Sequence, residues 1–255
     1  MRALIKWLVL IPLVVLFALS SGVVCLLPVD RKGKRAAAIK TASFFSRIML
    51  GVLGIRVHAR QGSRFQKTSG PRLLVANHVS YIDVLALASL SPAVFITSVE
   101  LKHSALLGPL ARLSGSIFVE RRSPSGLKRE INEIARVLGQ GLSVVLFPEG
   151  TTSNGDSVRQ FKNSLFDSAI AARAEIQPLH LRYTRVNGQR LTTHNRDRVF
   201  YYGGAEFLKH FAHLLTLRSI DLEILPLKPI PVKAGDSRKD LAAAAHQAIS
   251  TAHHA

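Results

Sequence analysis

The first residues of the chain place the strongest limit on what it can fold into. From Trp7 to Leu27 the sequence has no charged residue, and most of its side chains are apolar. A helix of this stretch would be about 31 Å long, which matches the hydrocarbon thickness of a bilayer. Pro12 lies inside it, and membrane helices tolerate proline better than helices exposed to water. We therefore predict a membrane anchor helix within residues 1–29.

The charges around this segment predict its orientation. Arg2 and Lys6 precede it, and the heavier basic flank follows it: Arg31, Lys32, Lys34, Arg35 and Lys40. The more basic flank of a membrane helix stays in the cytoplasm, so we predict that the body of the protein is cytoplasmic. A cleaved secretory signal is the alternative, but no small-x-small cleavage site follows the long apolar core. A helix that lies within one leaflet also remains open.

Residues 30–60 combine basic residues with a second helical pattern. Between residues 36 and 57, apolar side chains recur at helical spacing: Ile39, Phe44, Phe45, Ile48, Met49, Val52 and Leu53. The pattern predicts a basic linker and an amphipathic, membrane-proximal helix. Such a helix can pack on the rest of the chain, rest on anionic lipid, or do both.

After residue 60, short apolar runs alternate with helical patterns. The runs that predict strands are 73–76, 116–119, 142–147, 176–183 and 220–225. The patterns that predict helices are 80–90, 127–138, 162–173, 205–215 and an alanine-rich stretch after Ser237. This alternation predicts an α/β domain over residues 61–255, with a mixed, largely parallel sheet covered by helices. In such sheets ligands bind beyond the carboxyl ends of the strands.

The composition narrows the possible partners. Lys and Arg number 34 against 16 Asp and Glu, giving a net charge of +18, which favours an anionic partner. A single cysteine excludes a disulfide scaffold and a multi-thiolate metal site. His210 and His213 lack a third ligand, so we expect no metal. The basic residues are dispersed and no nucleic-acid-binding motif is present, so we expect no nucleic acid either.

A histidine and an aspartate stand at the end of the first predicted strand of this domain. The segment is Asn77-His78-Val79-Ser80-Tyr81-Ile82-Asp83. A carboxylate one helical turn after the histidine can hold one imidazole nitrogen and leave the other free to take a proton. A capped helix with a structural histidine is the alternative interpretation.

Three further blocks follow predicted strands. Arg121 and Arg122 come after residues 116–119, and arginine binds phosphate through two parallel hydrogen bonds, although paired loop arginines are often only solvated. The turn at 147–155 offers backbone N–H groups and hydroxyls to an anion or oxyanion, or is an ordinary polar turn. The run 176–181 contains a proline, which fits the lining of an apolar groove or an edge strand.

Taken in this order, the blocks resemble the glycerolipid acyltransferase family, specifically its small bacterial lysophosphatidic acid acyltransferases, over about residues 73–183. Residues 77–83 match the family's first motif, and residues 147–151 match the core of its third. Residues 116–122 look like the second motif, and residues 176–181 are a looser form of the fourth.

The resemblance implies transfer of a fatty acyl group from acyl carrier protein or coenzyme A to a lysolipid hydroxyl. His78 would be the general base, oriented by Asp83, with no acyl-enzyme and no cofactor. The remaining assigned residues would bind the acceptor: Arg121, Arg122, Glu149, Gly150 and Thr151. The site would face the cytoplasm at a bacterial inner membrane, where the lipid substrates lie.

One position departs from the family pattern. The third motif usually continues with arginine, where this chain has Thr152. Residues 151–166 look more like a proteobacterial branch that includes enzymes acylating lyso-ornithine lipid, a zwitterionic acceptor without phosphate. We expect lysophosphatidic acid as acceptor, giving phosphatidic acid, with lyso-ornithine lipid as the alternative. A non-catalytic scaffold that binds anionic lipid is a second alternative.

Overall fold

The computed structural model describes residues 1–59, 70–120 and 124–254. Its helices are α1 (Arg2–Leu26), α2 (Arg31–Leu53), α3 (Ile82–Leu90), α4 (Val99–Lys102), α5 (Leu107–Leu113), α6 (Pro124–Gly139), α7 (Asp167–Ala172), α8 (Phe207–Thr216) and α9 (Arg238–His254). Its strands are β1 (Ile55–Ala59), β2 (Arg72–Ala76), β3 (Val94–Ser98), β4 (Ile117–Val119), β5 (Val144–Leu146), β6 (Glu175–Val186), β7 (Gln189–Arg190) and β8 (Ile220–Pro226).

Within the described residues, the strands form one sheet in the order β1-β8-β6-β2-β5-β3-β4, and β7 pairs with β6. β6 runs antiparallel to β7 and β8, and the other pairings are parallel, which confirms the predicted sheet. Because β6 lies between β2 and β8, the edge-strand interpretation of residues 176–181 is wrong. Pro178 is tolerated because β8 ends at Pro226, which pairs with Leu179, so no strand residue of β8 requires an N–H from position 178. The carbonyl of Pro178 accepts the N–H of Leu227.

Helices cover both faces of the sheet, as β2 illustrates. All five of its residues are buried. Leu74 packs in the core under α2, α3 and α8, whereas Leu73 and Val75 pack in the core under α6, α7 and α9. Successive side chains of a strand point to opposite faces, so a strand covered on both sides has a continuous apolar sequence.

The two N-terminal helices form a hairpin against the body. One face of α1 is buried, through Lys6, Leu10, Phe17 and Ser21. The Lys6 ammonium donates to the carbonyls of Leu53 at 2.6 Å and Leu217 at 2.8 Å, at the carboxyl ends of α2 and α8. A cation is favourable at this end of a helix, so Lys6 joins three helices. By length and composition, α1 and α2 could each cross a membrane.

The second predicted helix ends earlier than expected. α2 stops at Leu53, and Gly54 takes a left-handed conformation with φ of 78°. A Cβ on Gly54 would lie 2.5 Å from the Arg218 carbonyl oxygen, so only glycine fits this turn. Residues 55–59 form β1, which pairs with β8. Part of the segment 30–60, predicted as linker and helix, therefore belongs to the sheet.

Candidate active site

The motif residues gather at the carboxyl edge of the central strands. His78 follows β2, and the turn at 147–155 follows β5, which lies beside β2 in parallel. The opposite neighbour of β2 is β6, whose carboxyl half carries Tyr183. Parallel strands end at the same edge of a sheet, so residues far apart in sequence meet here.

His78 and Asp83 form a hydrogen-bonded pair across the bend between β2 and α3. The Nδ1 atom of His78 lies 2.8 Å from Oδ2 of Asp83, in the first turn of α3. The same oxygen accepts the N–H groups of Val79 at 2.8 Å and Ser80 at 2.9 Å. The carboxylate therefore holds both the imidazole and the backbone of the bend before α3. The N-cap of α3 is Tyr81, without a side-chain cap, so Asp83 is not a helix cap.

The contact with Asp83 determines which ring nitrogen of His78 carries the proton. A carboxylate oxygen accepts, so His78 carries its proton on Nδ1 and keeps a lone pair on Nε2. Among the described residues Nε2 has no hydrogen-bond partner, and 17% of the side chain is exposed. The ring stacks on Phe147, with centroids 4.0 Å apart and planes 16° apart. His78 thus presents an oriented basic nitrogen.

Tyr183 completes the surroundings of Asp83, and sequence reasoning missed it. Its hydroxyl donates to Oδ1 of Asp83 at 2.6 Å. Burial raises the pKa of Tyr183 well above its usual value, so the hydroxyl stays protonated. The alternation of side chains along a strand could have indicated this contact. Leu179, Leu181 and Tyr183 lie on one face of β6, in the core against which α3 packs.

Glu149 turns inward from the loop after β5. Its side chain is 5% exposed. Oε1 accepts the N–H of His78 at 2.8 Å, and Oε2 accepts the N–H of Arg159 at 3.2 Å. Gly150 has φ of 79°, and Thr151 is exposed. Glu149 therefore holds the backbone beside His78, and the acceptor roles of Glu149, Gly150 and Thr151 stay predictions.

Glu149→Gln should flatten the pH dependence of stability. Burial raises the pKa of Glu149 above its usual 4.5, against the opposing effect of its backbone hydrogen bonds. A carboxyl with a raised folded-state pKa stabilises the fold at low pH, and this contribution is lost as pH rises from 4.5 through the raised pKa. Urea unfolding across this range should show a shallower decline for Glu149→Gln than for the wild type. Exposed Glu223→Gln is the control, and equal slopes for all three proteins would contradict the assignment.

The predicted head-group ligands Arg121 and Arg122 lie outside the described residues. Another arginine contacts the loop of the third motif from the turn Arg196–Arg198, and no sequence motif pointed to it. Arg196 makes two hydrogen bonds to the carboxylate of Asp156, on the loop that follows Thr152. An ion pair with Arg196 therefore holds the loop that carries Thr152, the position where the family pattern has an arginine.

A cavity of about 260 Å³ lies behind the segment that carries His78. Its walls include Asn77 and Val79, but not His78, together with Tyr183, His180 and Arg196. His78 does not line this cavity. We therefore place the candidate site at the His–Asp pair and not in the cavity. In the described part of the chain, no three potential metal-ligating side chains cluster.

The fold and the site together define a class. An α/β sheet that carries an oriented, partly exposed His–Asp pair at its carboxyl edge is suited to deprotonating a substrate hydroxyl. The family model described as Acyltransferase matches residues 55–182, half of the chain. The chain belongs to this acyltransferase family and is an O-acyltransferase, as the motifs predicted.

Similar proteins support this assignment. The lyso-ornithine lipid O-acyltransferase of Brucella abortus is 35% identical over 207 residues, covering 78% of this chain and 76% of that protein. The 1-acyl-sn-glycerol-3-phosphate acyltransferase of Neisseria gonorrhoeae is 36% identical over 118 residues, covering 46% of each chain. The crystal structure of PlsC, the 1-acyl-sn-glycerophosphate acyltransferase of Thermotoga maritima, shares the fold, with a TM-score of 0.66, 20% identity and coverage of 100% and 97%.

Proposed function

We propose that this protein transfers a fatty acyl group from a thioester to the free hydroxyl of a lysolipid. The observation that carries the proposal is the contact between Nδ1 of His78 and Oδ2 of Asp83, which leaves Nε2 as a base. The contact lies inside the matched acyltransferase region. We assign the role of general base to His78 and the orienting role to Asp83.

The proposed reaction is a direct transfer. Nε2 of His78 takes the hydroxyl proton while the oxygen bonds to the thioester carbonyl carbon. The carbon–sulfur bond then breaks, and the proton passes from the imidazolium to the leaving thiolate. Asp83 stabilises the imidazolium in between. No acyl-enzyme is required, and Cys25 lies exposed on α1 rather than at the His–Asp pair.

We infer that lyso-ornithine lipid is the preferred acceptor and that lysophosphatidic acid is second. The relative with the long alignment acts on lyso-ornithine lipid, by its name, whereas the phosphatidic acid relative aligns over less than half of this chain. Arg196, from the turn Arg196–Arg198, pairs with Asp156 on the loop after Thr152, so both charges lie beside this loop, which suits a zwitterionic head group. A phosphate would be better served by an unpaired arginine.

Parallel kinetics with the two acceptors test this choice. We expect kcat/KM to be at least about tenfold higher for lyso-ornithine lipid, roughly the effect of one charge-assisted contact. Thr152→Arg should raise kcat/KM for lysophosphatidic acid. Ser157→Arg adds the same charge at an exposed position of the same loop and should not. Preference of the wild type for lysophosphatidic acid would reverse the assignment.

The arrangement of the hairpin supports a position in one leaflet. α1 packs along α2. The ring centroids of Phe17 and Phe45 are 5.6 Å apart, and the Lys34 ammonium donates to the Cys25 carbonyl at 2.8 Å. α2 is itself fixed to the body through Arg47, which donates to the Ser89 carbonyl at 2.7 Å. The opposite face of α1 exposes apolar side chains: Leu4, Leu8, Ile11, Val15 and Leu19. We propose that this face enters the cytoplasmic leaflet of a bacterial inner membrane.

Charged substitutions on this face test the membrane proposal. Leu8 and Leu19 are 65% and 64% exposed. The double variant Leu8→Asp with Leu19→Asp should lower vesicle binding about 10²- to 10³-fold, because each charge opposes insertion by about 2 kcal/mol. Thr251→Asp, exposed on α9 over the other face of the sheet, should bind like the wild type. Flotation with anionic vesicles measures the bound fraction of each variant. Undiminished binding of the double variant would contradict insertion of this face of α1.

The acyl donor is proposed to be acyl carrier protein or coenzyme A thioester. Both are acidic, and the net charge of +18 favours their approach.

A further inference from the structure

We propose that Tyr183 is a positioning residue of the His–Asp pair, acting through Asp83. Its role in turnover depends on the proposed function, whereas its contact with Asp83 does not. The inference starts from the two oxygens of Asp83, which have different partners. Oδ2 serves His78 and two backbone N–H groups, and Oδ1 accepts the Tyr183 hydroxyl at 2.6 Å.

Because both partners are buried, the loss of this hydrogen bond would be costly. Asp83 is 0% exposed and Tyr183 is 5% exposed, so water does not replace a missing donor easily. A buried carboxylate oxygen without a donor is costly, and the carboxylate would rotate or move to recover one. Rotation would disturb Oδ2, which sets the proton position on His78. The Tyr183 hydroxyl therefore fixes the carboxylate plane.

Strand pairing and a ring contact hold Tyr183 in place. It lies in the carboxyl half of β6, beyond the pairing with β2 that ends at Leu179, and it pairs with Leu222 of β8 just before a register shift. Its ring contacts Phe200 with centroids 5.5 Å apart. Asp83, by contrast, begins a helix directly after a loop. The hydroxyl thus transmits the fixed position of a central strand to the carboxylate.

The groups facing the pair determine the expected pH effect. The titratable groups that face the pair are Tyr183 from β6, Glu149 from the loop after β5 and Tyr81 from the bend before α3. Tyr183 donates throughout the working pH range and withdraws negative charge from Asp83. Loss of that donor leaves more charge facing the imidazolium. The acid limb of kcat/KM should then move to higher pH.

Tyr183→Phe tests the proposal. We expect kcat to fall about 10- to 100-fold, as for the loss of a charge-assisted buried hydrogen bond, with KM for both substrates changed less than about threefold. The acid limb should rise by about half a pH unit or more. Ser168→Ala is the control, because it also removes a buried hydroxyl donor, to the Leu165 carbonyl at 2.6 Å, but on α7 over the other face of the sheet, and it should change neither quantity.

Two further measurements make the test decisive. A 3-fluorotyrosine at position 183 keeps the shape, donates more strongly, and should move the acid limb to lower pH, which gives an answer even if Tyr183→Phe folds poorly. The titration midpoint of the His78 imidazole, followed by NMR in micelles, reads the contact without turnover and separates its failure from that of the proposed function. An unmoved midpoint and acid limb in both variants, with only a lower Tm, would overturn the proposal.

Discussion

His78→Ala is expected to lower kcat by about 10²- to 10⁴-fold, the contribution of a positioned general base. The variant removes the only nitrogen of the pair that can accept the hydroxyl proton, while Asp83 keeps the N–H groups of Val79 and Ser80 as donors. The ring is stacked on Phe147 but partly exposed, so its loss should lower Tm only modestly. Steady-state transfer of a labelled acyl group and thermal unfolding measure the two effects.

The matched control is His194→Ala, at an exposed histidine outside the site. It should keep wild-type kcat. Binding to vesicles should be unchanged in both variants, because the apolar face of α1 is intact. Full activity of His78→Ala would exclude the proposed base, and bound but inactive wild-type protein would favour a lipid-binding scaffold.

Asp83→Asn is expected to produce the second large loss, again about 10²- to 10⁴-fold in kcat, with a marked loss of stability. The carboxylate accepts from His78, from two backbone N–H groups and from Tyr183. An amide has one oxygen, and its NH2 group would face donors. The imidazole then loses its acceptor, and the proton can move to Nε2, where the ring is no longer a base.

Asp221→Asn separates the two effects. Asp221 is also a buried carboxylate, and it bonds Arg56 at 2.7 Å and His58 at 3.2 Å, but it lies on β8 away from His78. Its substitution should lower the unfolding free energy by about 1–3 kcal/mol and leave kcat unchanged. Equal losses of kcat in Asp83→Asn and Asp221→Asn would show that the first effect is global destabilisation.

The parts of the site that could be predicted from sequence are local. His78 and Asp83 are five residues apart, so their meeting needs only one strand-to-helix bend. The contact of Tyr183 with Asp83 spans 100 residues, and that of Glu149 with His78 spans 71. Both depend on β2 lying between β5 and β6, an order that apolar runs do not specify.

The errors in the fold have similar causes. Ile55 and Val57 extend the apolar pattern of α2, so the pattern predicts helix where the structure has β1, and only Gly54 marks the break. The segment 94–113, which holds β3, α4 and α5, was not predicted because these elements are short and their periodicity is weak. β2 and β6 are predictable because two-sided burial requires continuous apolar runs, and α6 and α8 are predictable because their apolar side chains recur at helical spacing.

The function proposed for this chain is transfer of an acyl group from a thioester to a lysolipid hydroxyl. The most direct measurement supplies wild-type protein in vesicles with labelled acyl thioester and either lyso-ornithine lipid or lysophosphatidic acid. Labelled diacyl lipid and free thiol are then quantified together. We predict equal amounts of the two products, with lyso-ornithine lipid giving the faster reaction. Thiol release without diacyl lipid, or no product with either acceptor, would contradict the account.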